Sequence, residues 1–398
     1  MSMKKDLPKG WELKKLGEIC GIVYGKGLPV KELKASGFPV FGANGLIGFN
    51  DKYLFEDPQV LISCRGAASG KINLSPPKCF VTNNSLILDI KQKKDLDRTY
   101  LYYALSVAKK TKLVTGTAQP QVTINNAIEL EIPLPPLSEQ KTIVSKIEEL
   151  LSELDNGKEQ LQTALQQLKV YRQSLLKWAF EGKLTNKKII KGALPKGWKK
   201  VEINNLSKLI NGDRGKNYPN RNEYVSKGIP FINTGHIEPN GKLDLGSMNY
   251  ITPEKFNTLN SGKVKVGDLI YCLRGATMGK TAIIEQFDKG AIASSLVIIR
   301  VNSDVHFKYI YYFLICPFGK DFIKKFDNGT AQPNLSAKSL SMFLVPLPSF
   351  NEQQLIVDEI ESKLTVCDKI EEIISQSLQR AETLRQSVLK KAFEGRLL

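Results

Sequence analysis

The sequence predicts an α+β protein: a tandem pseudo-repeat of two α/β globular lobes separated by two long helices that pack as an antiparallel coiled coil. Three observations predict it. Short motifs recur in fixed order along the 398 residues. Between them lie short β-branched runs punctuated by Gly, Asn and Pro, which read as strands and turns. Each copy then ends in a long heptad-patterned stretch. With 42% apolar and 24% charged residues, the composition is that of a globular chain and excludes a disordered one.

The repeat sets the organisation. Leu7-Pro8-Lys9-Gly10-Trp11 returns as Leu194-Pro195-Lys196-Gly197-Trp198. Gly116-Thr117-Ala118-Gln119-Pro120 returns unchanged at Gly329 to Pro333, and Ile132-Pro133-Leu134-Pro135 is echoed by Val345-Pro346-Leu347-Pro348. Glu139-Gln140 matches Glu352-Gln353, Arg172-Gln173-Ser174 matches Arg385-Gln386-Ser387, and Ala179-Phe180-Glu181-Gly182 matches Ala392-Phe393-Glu394-Gly395. The offset is 187 at the tryptophans and 213 from Gly116 onward, so the second copy carries 26 extra residues in its first part.

Taken in order, the first lobe spans about 5–133, with a strand at Val60-Leu61-Ile62 and a helix near Tyr100 to Lys110. A proline-rich stop follows, and Ser138 is the expected N-cap of the first long helix. Its seam steps alternately by four and three through Ile143, Ile147, Leu150, Leu154, Gly157, Leu161, Ala164, Leu168, Tyr171, Leu175 and Trp178. Gly182 is placed to end it. The second lobe spans about 192–346, with a strand at Ser295 to Ile299 and a helix near Tyr309 to Phe326. Asn351, with Gln354 three residues on, is the expected capping box of the second long helix.

The second seam runs through Ile356, Ile360, Lys363, Cys367, Ile370, Ile374, Ser377, Ala381, Leu384, Val388 and Lys391, and Gly395 ends it. It is the more polar of the two, with Leu364 and Leu378 one place along. Such a stripe ordinarily belongs to an intramolecular core, and here each copy offers the other a partner. About 40 helical residues make a rod of roughly 60 Å.

Charge is distributed unevenly. The total is +17, made up of +7 in residues 1–137, −1 in 138–182, +7 in 183–200, +6 in 201–350 and −2 in 351–398. The positive field therefore belongs to the lobes and their connector, while the helices are nearly neutral. Two basic lobes on a neutral spacer suit contact with two patches of one long polyanion. The alternative is that the lysines simply solubilise the protein. No apolar stretch approaches a membrane span, which favours a cytoplasmic protein over a membrane one.

Catalytic equipment is scarce. The six cysteines are scattered singly, without a Cys-x2-Cys pair, and only His236 and His306 are available, so neither a structural zinc nor His-dependent catalysis is expected. Arg65-Gly66-Ala67-Ala68-Ser69-Gly70-Lys71 and Arg274-Gly275-Ala276-Thr277-Met278-Gly279-Lys280 are arginine–glycine loops after strands. The second, continued by Thr281, approaches an ATP phosphate loop but is one residue too short, and the first has Ile72 where a hydroxyl should hold magnesium. Free backbone N–H groups and basic side chains in these loops suit a nucleic-acid phosphate, although a plain glycine turn with a surface lysine would read the same. Glu-x-Lys triplets at Glu12, Glu32 and Glu361 recur in neither partner copy, which argues against a nuclease. No Asn/Asp-Pro-Pro-Phe/Tyr motif supports methyl transfer.

Residues common to both copies cannot distinguish two DNA half-sites. Base reading is therefore expected where the copies diverge, at about 24–57 and 211–262, the second stretch holding nine asparagines in 52 residues. Arginine pairs with guanine and asparagine with adenine in the major groove, while asparagine is also a turn former. The candidate DNA contacts are Lys26, Asn44, Arg65, Lys71, Arg214, Lys216, Arg221, Asn233, Arg274 and Lys280.

The Leu-Pro-Lys-Gly-Trp motif, the Gly-Thr-Ala-Gln-Pro segment, Pro-Leu-Pro-Pro-Leu-Ser-Glu-Gln and the Ala-Phe-Glu-Gly-Lys-Leu helix exit resemble the specificity (S) subunit of type I restriction–modification enzymes, over essentially the whole chain. The resemblance implies target-recognition domains at 1–133 and 187–346 and central helical spacers at 134–186 and 347–398. Each domain would read one half of a split, asymmetric target, with the helices as a ruler for the gap. It also implies two methyltransferase subunits carrying S-adenosylmethionine and two motor–nuclease subunits using ATP and Mg, with no cofactor on this chain. A fused-subunit relative that cuts on both sides of its site, or a non-catalytic coiled-coil scaffold, are the alternatives. Half-sites about one helical turn apart would let both lobes meet one face of the duplex.

Overall fold

The computed structural model describes residues 7–91, 94–108, 113–116, 119–186, 193–275, 277–326 and 334–398. Thr117, Ala118 and Gly329 to Pro333 of the Gly-Thr-Ala-Gln-Pro repeat, and 187–192 of the basic connector, lie outside them. The chain divides into two compact units, Met1–Gln162 with Ile374–Leu398, and Thr163–Ile373.

Unit 1 is built on a four-stranded antiparallel sheet in the order Cys20–Tyr24, Ser85–Ile90, Val60–Ser63, Ile72–Leu74. A second sheet sets Phe38–Gly42 between Gly45–Asn50, antiparallel, and Phe80–Val81, parallel. The central strands are buried on both faces. Val60, Ile62, Leu86 and Leu88 point into the main core with the helix Arg98–Val107, while Leu61 and Ile87 face Phe41, Cys79 and Val81. Burial on both sides explains why these strands read as unbroken apolar runs.

Unit 2 repeats the plan. Its four-stranded sheet runs Ser207–Asn211, Leu296–Val301, Leu269–Cys272, Thr281–Ile283, and its second sheet runs Asn249–Ile251, Ile229–Ile232, Gly290–Ile292, Lys263–Val264. Leu269, Tyr271, Val297 and Ile299 enter one core; Ile270, Cys272, Leu296 and Ile298 enter the other. The helix expected from Tyr309 to Phe326 is two helices, Phe307–Ile315 and Pro317–Phe326. Pro317 lacks an N–H and drives Cys316 to ψ 167, which breaks the run.

Each unit closes with a two-stranded ribbon, Glu12–Lys15 with Glu131–Leu134 and Lys199–Glu202 with Leu344–Leu347. The repeated motifs act here. Trp11 follows a turn with Gly10 at φ +90, and Trp198 one with Gly197 at φ +88. Their indoles donate to Glu139 Oε1 at 3.0 Å and Glu352 Oε2 at 3.1 Å. The neighbouring glutamines are buried. Gln140 accepts from the Asp97 N–H and donates to the Asp95 and Pro135 carbonyls, while Gln353 accepts from the His306 N–H and donates to Pro348.

The long helices are Leu137–Phe180 and Phe350–Phe393. Both start earlier than expected. The Pro136 carbonyl receives the Glu139 and Gln140 N–H groups, so Ser138 lies inside the first turn. The Ser349 carbonyl and hydroxyl receive Gln353 and Glu352, so Ser349 is the cap and not Asn351. Gln354 turns instead to Asp358. At the other ends Gly182 and Gly395 take φ +75 and +69. Lys183 N–H bonds Trp178, and Arg396 N–H bonds Lys391, the six-to-one closure of a glycine-ended helix.

The two helices pair antiparallel within each unit. In unit 1 Asp155 meets Arg385 and Lys158 meets Glu382; in unit 2 Arg172 meets Asp368 and Glu371, while Thr185 meets Glu352. These ion pairs are exposed, worth about 0.2–1 kcal/mol each, and set register more than stability. Stability comes from the seam and the lobes. Ile143, Ile147, Leu175, Ile356, Ile360 and Ile374 are buried; Leu150, Leu154, Leu161, Leu168 and Val388 are half-buried. Ile370 and Leu384 are 41% and 53% exposed and do not belong to the seam. On that helix Cys367, Ile374 and Ala381, seven residues apart, are buried, while Lys363, Leu364, Ser377 and Leu378 are half-buried.

Each lobe's core takes the start of one long helix and the end of the other. Ile143, Ile147 and Leu151 join Leu389, Ala392 and Phe393 in unit 1. Ile356, Val357 and Ile360 join Leu176, Ala179 and Phe180 in unit 2. The repeated Ala-Phe-Glu-Gly exit of each copy thus completes the lobe of the other.

Candidate nucleic-acid interface

In unit 1 the arginine–glycine loop is the turn of the hairpin Val60–Ser63/Ile72–Leu74. Ser63 pairs with Ser85 and Tyr24 with Leu86, so strands Val60–Ser63 and Cys20–Tyr24 finish at the same end of the sheet. Lys26, just past Tyr24, bridges Thr82 there. The Gly42–Gly45 turn reaches the same end, because Ser85 Oγ donates to the Gly42 carbonyl at 3.1 Å and Ser63 Oγ donates to that of Ala43. Lys71 Nζ stands 3.4 Å from Asn44 Oδ1. Three segments therefore bring Lys26, Asn44, Arg65 and Lys71, all exposed, to one sheet end. The last three line a single hollow of about 630 Å³. The second repeated motif ends beside it: Arg65 bridges Gln121, and Ser69 Oγ donates to the Pro120 carbonyl at 2.6 Å.

Unit 2 reproduces the arrangement. The loop from Arg274 to Lys280 is again a hairpin turn, between Leu269–Cys272 and Thr281–Ile283, and Arg274 bridges Asn334. A loop that leads from strand to strand is no phosphate loop for ATP, which must open a helix. The Thr281 hydroxyl donates to Gly279 at 3.1 Å. Gly66 and Gly275 sit at φ +74 and +78 with open space around them, so the backbone conformation, and not room, requires glycine. Asn211 pairs with Val297 and Cys272 with Leu296, which places exposed Arg214 and Lys216 at the sheet end that carries Arg274. Lys280 is half-buried, its ammonium donating to the Ile237 carbonyl at 3.0 Å.

Two further candidates lie in turns. Asn233 caps the turn Thr234–His236: its Oδ1 accepts from Gly235 N–H at 2.8 Å, and its own N–H donates to His236 Nδ1 at 3.2 Å. Its carboxamide oxygen is taken up by its own loop, the turn-forming role that asparagine commonly plays. Arg221 opens the separate turn Arg221–Glu223, whose Glu223 is ion-paired with Lys255 at 2.7 Å.

Both histidines are pushed below the ordinary imidazole range, chiefly by burial, with Lys308 adding to the effect at His306. The unfolded chain therefore takes up protons first. The stability they contribute is complete above about pH 6.5 and is lost as pH falls from there toward the folded-state values. A melting temperature that declines between pH 7 and 5.5 is expected, and His236→Gln with His306→Gln should flatten that decline. An equally steep decline in the double variant would show that other groups cause it.

Among the described residues no group of three or more His, Cys, Asp or Glu could hold a metal ion, and no helix is long and apolar enough to cross a membrane. Comparison with known proteins gives a consistent family. The type I restriction modification DNA specificity domain matches the chain twice, over residues 8–167 and 195–380. The type I restriction enzyme EcoBI specificity subunit of Escherichia coli is 28% identical over 334 residues, 79% of this chain and 69% of the relative. The EcoDI specificity subunit, also from Escherichia coli, is 26% identical over 415 residues, 98% of this chain and 89% of the relative. The MjaVIII specificity subunit of Methanocaldococcus jannaschii is 22% identical over 98% of this chain and 94% of its own length. The fold matches the HsdS subunit from Thermoanaerobacter tengcongensis with a TM-score of 0.64 at 20% identity, covering all of both chains. It also matches a chain from a structural study of type I R-M complex assembly, with a TM-score of 0.72 at 20% identity over 98% of this chain and 99% of the other. With both lobes and most of both long helices inside the matched residues, the chain belongs to the type I restriction–modification DNA specificity family.

Proposed function

We propose that each lobe reads one half of a bipartite, asymmetric DNA target, while the paired helices set the unread gap and dock methyltransferase subunits. The observation that carries this reading is the convergence, in both units, of basic loops on the same end of equivalent sheets. Loops alike in both copies supply phosphate contacts; the divergent stretches 24–57 and 211–262 supply base contacts. Lys26, Asn44, Arg214 and Lys216 are the readers best placed for this, and Arg65, Lys71, Arg274 and Lys280 hold the backbone.

Docking is supported by apolar side chains that the seam leaves outside. On the second helix Val366, Ile370 and Ile373 lie at steps of four and three. On the first, the exposed Tyr171 and Trp178 rings meet edge-on at 6.4 Å. In unit 1 the exposed Leu384 lines a shallow apolar hollow together with Leu154, a half-buried residue of the seam. Exposed apolar faces of this kind mark partner surfaces. The partners in this reading are two methyltransferase subunits, which bring S-adenosylmethionine, and two motor–nuclease subunits, which bring ATP and Mg; this chain contributes recognition and no catalysis.

Exchanging residues 211–262 for the corresponding stretch of a family relative tests the assignment. One half of the methylated sequence should change and the other should stay intact. A change in both halves would overturn the division between reading segments and framework.

A further inference from the structure

Unit 2 holds a cleft of about 960 Å³ beside the arginine–glycine hairpin. One wall is the turn from Glu238 to Lys242, in the connection that is longer in the second copy. Another is the helix Pro317–Phe326, and the hairpin end at Gly279 and Lys280 forms the floor. The helix is amphipathic: Phe318, Phe322 and Ile323 pack on the core while Lys320 faces the cleft. Gly279 takes φ +86, a conformation that favours glycine, and a Cβ there would stand 2.5 Å from Ile323 Cδ1, the tip of a side chain, so the hairpin end lies close against the helix. Lys280 and Lys320 line the same cleft.

The charges along the cleft fall into two sets. Arg172 is neutralised by Asp368 at 2.7 Å and Glu371 at 3.0 Å, and Glu361 by Lys308 at 2.8 Å. Lys242, Lys280 and Lys320 have no carboxylate within ion-pair distance among the described residues. Glu238 is the acid left on their side, and it accepts from Asn240. Lys242 and Lys320 are exposed where they line the cleft, and the Lys280 ammonium is held by the Ile237 carbonyl at 3.0 Å, so the positive charge on this side is only partly offset by Glu238.

We propose that this cleft holds the sugar–phosphate backbone of duplex DNA next to the second lobe's half-site, with Lys242, Lys280 and Lys320 as phosphate contacts that read no base. The proposal rests on the DNA-binding reading above. It adds two contacts, Lys242 and Lys320, that come from an insertion and a helix outside the repeated motifs. Lysine suits the task because a compact charge on a flexible stem meets phosphate without demanding one geometry.

The full-length chain and a duplex of random sequence test it, since phosphate contacts ignore sequence. Lys242→Ala with Lys320→Ala should lower the slope of log affinity against log salt by about 2, roughly one per lost contact. Lys324, on the outer face of the same helix and paired with Asp321 at 3.3 Å, is the control, and Lys324→Ala should leave the slope unchanged. A wild-type slope in the double variant would overturn the cleft alone. Absence of salt-dependent duplex binding by the wild-type chain would overturn the DNA-binding reading and the cleft with it.

Discussion

Phe180→Ala and Phe393→Ala are each expected to destabilise the chain by about 3–5 kcal/mol, the cost of emptying a large buried aromatic site. Phe180 is 1% exposed, with its ring 5.0 Å from Tyr309 and 5.5 Å from Phe313. Phe393 is 7% exposed and meets Tyr100 edge-on at 5.2 Å. Each phenylalanine ends the long helix of one copy yet fills the lobe of the other, so the two losses should be local. Hydrogen exchange should show Phe180→Ala loosening Leu296–Val301 and Phe307–Ile315, and Phe393→Ala loosening Ser85–Ile90 and Arg98–Val107. Denaturant unfolding gives the magnitude. A loss below about 1 kcal/mol, or one spread evenly over both units, would mean that the helix exits are not part of these cores.

Those positions show how much of the fold the sequence makes legible. Repetition marks residues whose work is done twice, and nearly every repeated motif has a visible task. The Lys-Gly-Trp turn and the Glu-Gln pair tie lobe to helix; the Gly182 and Gly395 closures end the helices; the arginine–glycine loops turn equivalent hairpins. Long helices are legible because their period persists over many turns. Their first turns are not, since a proline carbonyl and Ser349 can cap as well as the residues just after them.

The seam misleads for a related reason. Steps of three and four carry an apolar residue either inward or just past the edge, and only the partner helix decides. Ile370 and Leu384 fall past it. Pro317 breaks what composition alone presents as one helix. Asn233 shows that residue type alone leaves two chemistries open, because the same amide that suits adenine also suits a turn. Lys242 and Lys320 carried no signal at all: they lie 78 residues apart and line one cleft only because an insertion and a short helix flank the same hairpin.

The second large effect concerns the genome of the cell that carries the chain. If the two lobes read separate half-sites of one duplex, deleting the gene should abolish methylation at one split motif and leave other methylated adenines untouched. Specific sites are ordinarily bound 10³–10⁷ times more tightly than random DNA, so the loss should be complete and not graded. Divergence between the stretches 24–57 and 211–262 predicts that the two halves of the motif differ in sequence.

Mapping methylated adenines with and without the gene is the most direct measurement. The expected result is the disappearance of one asymmetric motif made of two short specified blocks separated by unspecified bases. An unchanged map, or the loss of a single uninterrupted motif, would contradict the reading of this chain as two recognition lobes on one duplex.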